Sequence, residues 1–166
     1  MSQISPAAFK TIRDEHKDKR IVYCSGMFDL LHPGHILFLE DCKKEGDILV
    51  VGVGGDKNVK KNKNPGRPIM DEMVRIKLVD ALKPVDYCFL SGHTPIHHPL
   101  EFLETVFNEL KPNIYVVNED ASDIPYRKEL SEKYNVPIKI LERWCPPEFE
   151  GISTTTIIEK IRGKQN

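Results

Sequence analysis

No stretch of this 166-residue chain approaches the run of about 18 apolar residues that a membrane-spanning helix needs. The first twenty residues mix charged and apolar positions, so they lack the continuous apolar core of a secretory signal. A soluble, cytoplasmic protein with no membrane partner is the expectation. Neither sign of charge prevails: Lys and Arg number 24, Asp and Glu 25, and the net charge is −1. With no basic field to hold a phosphodiester backbone, nucleic acid is not an expected partner. The four cysteines, Cys24, Cys42, Cys88 and Cys145, include no C-x-x-C pair. Their scatter argues against a zinc knuckle or a redox dithiol and for reduced, mostly buried thiols. Internal repeats are absent, and the one compositional bias is a basic stretch at 57–67.

The 40% of residues that are hydrophobic suffice for a packed core in a chain of one-domain length, on a scale of about 100–200 residues per domain. They come in short runs separated by amphipathic stretches. Strands are predicted at 20–24, 47–53, 85–90, 113–117 and 136–141, with Pro137 placing the last at a sheet edge. The 47–53 run is almost purely aliphatic, as suits a strand covered on both faces. Helices are predicted at 34–45, 71–82, 99–110, 125–134 and 153–162, and a further one opens the chain at 5–17. This alternation predicts an α/β fold, a Rossmann-like, doubly wound sheet of five parallel strands flanked by helices, with its ligand at the carboxyl ends of the strands. One domain spanning 1–166 is expected, an N-terminal helix in 1–19 leading into a core at 20–162.

The first strand-to-helix turn carries two histidines, His32 and His35, on either side of Pro33 and Gly34. If Pro33 and Gly34 open the helix, both imidazoles stand at its N-terminus, where free N–H groups and the helix dipole favour an anion. Two imidazoles beside a phosphate can donate hydrogen bonds to oxygens that gain charge during phosphoryl or nucleotidyl transfer. On spacing alone, an exposed helix start serves equally well. No third Cys, His or carboxylate is spaced to complete a metal site, so direct ligation by side chains is not expected. Gly26 lets the backbone approach a ligand closely. Near the other end, Gly151 permits close approach or an unusual backbone angle. Ser153, Thr154 and Thr155 there offer hydroxyl and N–H groups at a second helix start, as a phosphate cradle or as a plain N-cap.

These two segments carry a resemblance. Gly26-Met27-Phe28-Asp29-Leu30-Leu31-His32-Pro33-Gly34-His35 resembles the G-x-F-D-x-x-H-x-G-H signature of the cytidylyltransferase-like nucleotidyltransferases, and Gly151-Ile152-Ser153-Thr154-Thr155 is similar to that family's G-I-S-T-T segment. The resemblance runs from Arg20 to Arg162. It implies magnesium-assisted attack of a phosphate oxygen on the α-phosphate of CTP or ATP, with release of pyrophosphate. It assigns His32, His35, Lys61 and Lys63 to catalysis. Gly26, Met27, Phe28, Asp29, Gly34, Arg75, Asn118, Asp120, Gly151, Ile152, Ser153, Thr154 and Thr155 it assigns to the nucleotide, with Arg75 facing the phosphates and Arg67 an alternative grip for the acceptor. At the fourth strand's end Asn118 stands where relatives carry a glycine, while Glu119 and Asp120 keep acceptors for an exocyclic amine, which cytosine and adenine both present.

Two branches of the family compete for the nucleotide. The Gly151–Thr155 segment favours CTP and a phosphorylated polyol, sugar or amino alcohol, as in glycerol-3-phosphate cytidylyltransferases. Against it, Glu148 stands where those enzymes have an arginine, a place Arg143 could reach from the preceding loop. The spacing from Asp56 to Arg75 resembles ATP-dependent heptose-1-phosphate adenylyltransferases instead. On balance CTP is the expectation and ATP the alternative, with a nucleotide-sensing module lacking turnover as the rival class. His93, His97 and His98 mark a loop on the ligand side with no role fixed by spacing, and Trp144–Pro147 either walls the nucleotide pocket or meets another subunit. Relatives are often dimers, and a homodimer contact through the apolar face of the helix at 99–110 would require that face to be exposed.

Overall fold

The computed structural model describes residues 3–56, 66–92 and 100–163. Five parallel strands, β1 (Ile21–Gly26), β2 (Ile48–Gly54), β3 (Tyr87–Ser91), β4 (Ile114–Asn118) and β5 (Ile138–Leu141), form one sheet in the order β3-β2-β1-β4-β5. The order reverses between β1 and β4, so the crevice at the carboxyl ends of these two strands is the topological switch point where α/β sheets bind ligands. Helices α1 (Phe9–Glu15), α2 (Pro33–Lys44), α3 (Glu72–Asp80), α4 (Phe102–Thr105), α5 (Ile124–Lys133) and α6 (Thr154–Ile161) flank it.

The period-two alternation of strands divides the core. Ile21, Tyr23, Val50, Tyr115 and Val117 point to one face, against Phe9, Leu103, Phe107 and Leu130 of α1, α4, the turn after it and α5. Val22, Cys24, Leu49, Val51 and Val116 point to the other, against Leu39, Cys42, Ile76 and Val79 of α2 and α3. Each fully buried aliphatic side chain contributes about 1.5–3 kcal/mol, and the strands' near-continuous aliphatic content follows from this double cover.

Several element ends differ from the sequence reading. The opening helix starts with a 3-10 turn, Pro6–Ala8, and stops at Glu15. The stretch expected as one helix at 99–110 is α4 continued by a π-helical turn, Val106–Leu110, which ends where Lys111 adopts left-handed backbone (φ 47°) before Pro112. Strand β5 begins only at Ile138. The Pro137 carbonyl accepts from Tyr115 N, but proline has no N–H to return, and β5 lies at the sheet edge as its proline predicts. No described helix is long and apolar enough to cross a membrane.

Candidate active site

A cleft of about 600 Å³ opens over the switch point. Its walls come from the turn after β1, the start of α2, the ends of β4 and β5, and the start of α6. The two segments singled out in the sequence, 115 residues apart, therefore face each other.

The β1–α2 turn is a constrained structure. Phe28 and Leu30 both hold left-handed backbone, φ 51° and 50°, a conformation that costs a residue with a side chain about 1–3 kcal/mol. Contacts on each side hold it. The Asp29 carboxylate, 3% exposed, accepts from Ile69 N (2.9 Å) and Met70 N (3.0 Å), and the Asp29 carbonyl accepts from Thr154 Oγ1 (2.9 Å). Arg75, wholly buried, donates to the Met27 carbonyl (2.6 Å), the Met70 carbonyl (3.0 Å) and Asp56 Oδ1 (2.7 Å). Arg75 is thus not a phosphate-facing cation, because its three donor directions are already filled behind the turn. Asp29 likewise pins backbone with its carboxylate, while bordering the cleft.

Pro33 and Gly34 open α2 as its sequence predicts, with His32 as the extended N-cap (φ −141°) and His35 in the first turn. The His32 backbone N–H donates to His35 Nδ1 (3.4 Å), so the neutral His35 ring carries its proton on Nε2. The rings lie 3.9 Å apart, and the buried Phe28 ring meets His35 edge-on at 5.6 Å. His32 is 7% exposed, and among the described residues its buried Nδ1 has no hydrogen-bond partner. Burial first, and the positive charge of Arg143 second, pull its pKa below the ordinary histidine value. Gly34 has a specific reason to be glycine: a Cβ there would stand 3.1 Å from His32 Cε1 and 3.2 Å from Nδ1, and would push the imidazole aside.

The opposite wall begins at Gly151, whose φ of +74° with open space around it shows that the backbone angle, not a close approach, demands glycine. The Ser153 hydroxyl accepts from Thr156 N (3.1 Å) while Thr156 Oγ1 accepts from Ser153 N (2.8 Å). This is a reciprocal cap. Ser153 and Thr154 are therefore held by intramolecular bonds, and Thr155 Oγ1 accepts from Arg67 Nη2 (3.3 Å). What this wall leaves for a ligand is the start of α6, with Gly151 and Ile152 lining the approach.

At the end of β4, Asn118 and Asp120 line the cleft as expected. Asp120 Oδ2, however, accepts from Arg143 Nη1 (3.1 Å), and the Glu119 carboxylate accepts from Arg143 N (2.9 Å). These acids position Arg143, whose guanidinium lies 3.9 Å from where a Gly34 Cβ would be. Glu148 sits on a 3-10 turn, Pro147–Phe149, outside the cleft lining. Lys61 and Lys63, and His93, His97 and His98, lie outside the described residues. Ser25 and Thr156 were missed by the sequence reading. The first was legible, since the last residues of a central parallel strand face the ligand crevice; the second follows from the N3 position of the α6 cap.

A family model described as cytidylyltransferase-like matches residues 23–160. An FAD synthase from Ferroglobus placidus is 36% identical over 141 residues, which cover 84% of this chain and 86% of that protein. A bifunctional protein HldE from Trichlorobacter lovleyi is 35% identical over 147 residues, 87% of this chain but 27% of that protein's length. Among solved structures, the lipopolysaccharide core biosynthesis protein from Thermoplasma volcanium GSS1 matches with a TM-score of 0.63 at 32% identity, over 77% of this chain and 98% of that one.

Proposed function

The chain belongs to the cytidylyltransferase-like family, and from that premise we propose that it transfers a nucleoside monophosphate, adenylyl in preference to cytidylyl, to the phosphate of a small phosphorylated acceptor. The observation that carries this reading is the pairing of His32 with His35 at a helix N-terminus in the switch-point cleft, with His32 Nδ1 buried and unpartnered among the described residues.

In the reaction, an acceptor phosphate oxygen forms a bond to the α-phosphorus as the bond to the leaving pyrophosphate breaks. His32 and His35 donate hydrogen bonds to the oxygens that gain charge, and the N–H groups opening α2 add their dipole. A neutral His32 suits this role, since a donor is needed and no proton is transferred. Arg143, held by Glu119 and Asp120, supplies the fixed positive charge on the β5 side. Lys61 and Lys63 keep the role that the family resemblance gives them, neutralising the transferring and leaving oxygens. The family resemblance implies a magnesium ion, and among the described residues no three His, Cys, Asp or Glu side chains converge. When bound, the ion supplies charge neutralisation on the triphosphate.

Three features favour ATP. A relative matched along most of its length is an FAD synthase, and FAD contains an adenylyl group. The spacing from Asp56 to Arg75 resembles the adenylyltransferase branch, and Glu148 lies outside the cleft, where it cannot replace the arginine of the cytidylyltransferase branch. The CTP expectation drawn from the Gly151–Thr155 segment gives way accordingly. The acceptor class remains a phosphorylated sugar, polyol or amino alcohol.

Pyrophosphate release with magnesium, measured separately with ATP and CTP against a panel of such phosphates, tests the reading. Release with ATP above CTP is expected. Release with CTP alone would reverse the nucleotide assignment, and nucleotide binding without release under any acceptor would mark a sensing module.

A further inference from the structure

On the sheet face opposite α2, beneath the cleft floor, lies a cation that the reaction as described does not use. Arg127, on the first turns of α5, is 7% exposed. Its Nε donates to the Ser122 carbonyl (2.7 Å) and its Nη1 to the Tyr115 hydroxyl. Among the described residues no carboxylate pairs with it, although a buried guanidinium is ordinarily neutralised by an acid.

The bonding polarity follows from the chemistry of the groups. A guanidinium only donates, so the Tyr115 oxygen accepts from Arg127 and its own proton is left for its other polar neighbour, Ser25 Oγ, at 3.5 Å. The Tyr23 ring stacks on Tyr115 at 5.4 Å. Burial pushes both phenols up, so both stay protonated, and Tyr115 keeps a proton to present to Ser25. With Tyr115 donating to its oxygen from below, Ser25 keeps its own proton to give. It sits at the carboxyl end of β1 and lines the cleft.

We propose that Ser25 is a hydrogen-bond donor to a phosphoryl oxygen bound at the β1 end of the cleft, and that Arg127 is a positioning residue that sets this polarity through Tyr115. The inference rests on the nucleotidyltransferase reading, which supplies the phosphoryl group. That oxygen belongs either to the nucleotide or to the acceptor. In both cases the buried charge behind Tyr115 adds a favourable field across a medium that screens it less than water does.

The test is a double-mutant cycle read by calorimetry. Dissociation constants for ATP and CTP with magnesium, and for inorganic phosphate as a stand-in for the acceptor's phosphate, are measured on the wild type, Ser25→Ala, Tyr115→Phe and the double variant. Ser25→Ala is expected to weaken at least one probe by about tenfold, as loss of a hydrogen bond to a charged group does, and Ser25→Thr to restore it. Tyr115→Phe is expected to weaken the same probe by about threefold in the wild type and to add nothing in the Ser25→Ala background. An effect confined to the nucleotides assigns the donor to the triphosphate, and one confined to phosphate assigns it to the acceptor. If Ser25→Ala binds all three probes as the wild type does, the inference fails while the nucleotidyltransferase reading stands. An equal Tyr115→Phe effect in both backgrounds overturns the relay, and should Tyr115→Phe not fold, the Ser25 pair decides alone. A wild type that binds none of the probes overturns the reading and the inference together.

Discussion

His32 is held neutral from two directions, by burial and then by the Arg143 charge, and both act in the sense that lowers its pKa. The unfolded chain takes up this proton near 6.5, whereas the folded chain does so only at lower pH. Stability associated with His32 is therefore complete above 6.5 and is lost as the pH falls from there towards the folded value. An NMR titration is expected to place His32 below 6.5, with Arg143→Gln raising the value only part of the way, because burial is the larger cause. A wild-type value at or above 6.5 would contradict the account. Under the proposed mechanism His35 contributes in the transition state, so His35→Ala should lower turnover by about 10²–10³ and leave nucleotide affinity nearly unchanged, as steady-state kinetics set beside binding would show. The two histidines were legible in the sequence because Pro33 and Gly34 fix the helix start between them. Asp29, Arg75 and Ser153 were not, because a carboxylate, a guanidinium or a hydroxyl serves a ligand or the backbone equally well. Which it serves depends on partners such as Ile69 N, the Met27 carbonyl and Thr156 N, brought together only by the tertiary fold.

Among the elements, the strands and helices follow from periodicity, and the departures come from backbone chemistry that periodicity does not carry. Pro137 withholds an N–H and delays β5 to Ile138. Lys111 turns left-handed and ends the segment after α4 as a π-helical turn. The stability of the β1–α2 turn likewise depends on another element, since α3 contributes Arg75, which ties the Met27 carbonyl to Asp56 at the end of the β2 segment. Replacing one member of a buried, hydrogen-bonded ion pair costs about 3–5 kcal/mol; Arg75 is wholly buried but Asp56 is 27% exposed, so Arg75→Met is expected to destabilise the protein by about 3 kcal/mol, the low end of that range, in urea unfolding. A loss below about 1 kcal/mol, the scale of an exposed ion pair, would show that the clamp is not structural.

For the whole molecule, strand order decides where function lies. Alternation predicts a doubly wound sheet, and the order β3-β2-β1-β4-β5 then brings Gly26–His35 and Gly151–Thr156 to one crevice. The apolar face at 99–110, considered as a dimer contact, is consumed by the core: Leu103, Val106, Phe107 and Leu110 are buried. Helix α3 instead presents Met73, Val74 and Leu78 to solvent. The chain's one tryptophan, Trp144, lines the cleft and is 65% exposed. Its emission therefore reports on the site directly. Titration with ATP should change the fluorescence in proportion to occupancy, and saturation by calorimetry without any change would place the nucleotide elsewhere. The most direct test of the central claim is the fate of a radioactive label. With magnesium, a responsive acceptor and ATP labelled at the α-phosphate, the label should move to the acceptor while label at the γ-phosphate leaves as pyrophosphate, and His35→Ala should slow both together. Label passing from the γ-phosphate to the acceptor would mean phosphoryl rather than nucleotidyl transfer, and would contradict the account.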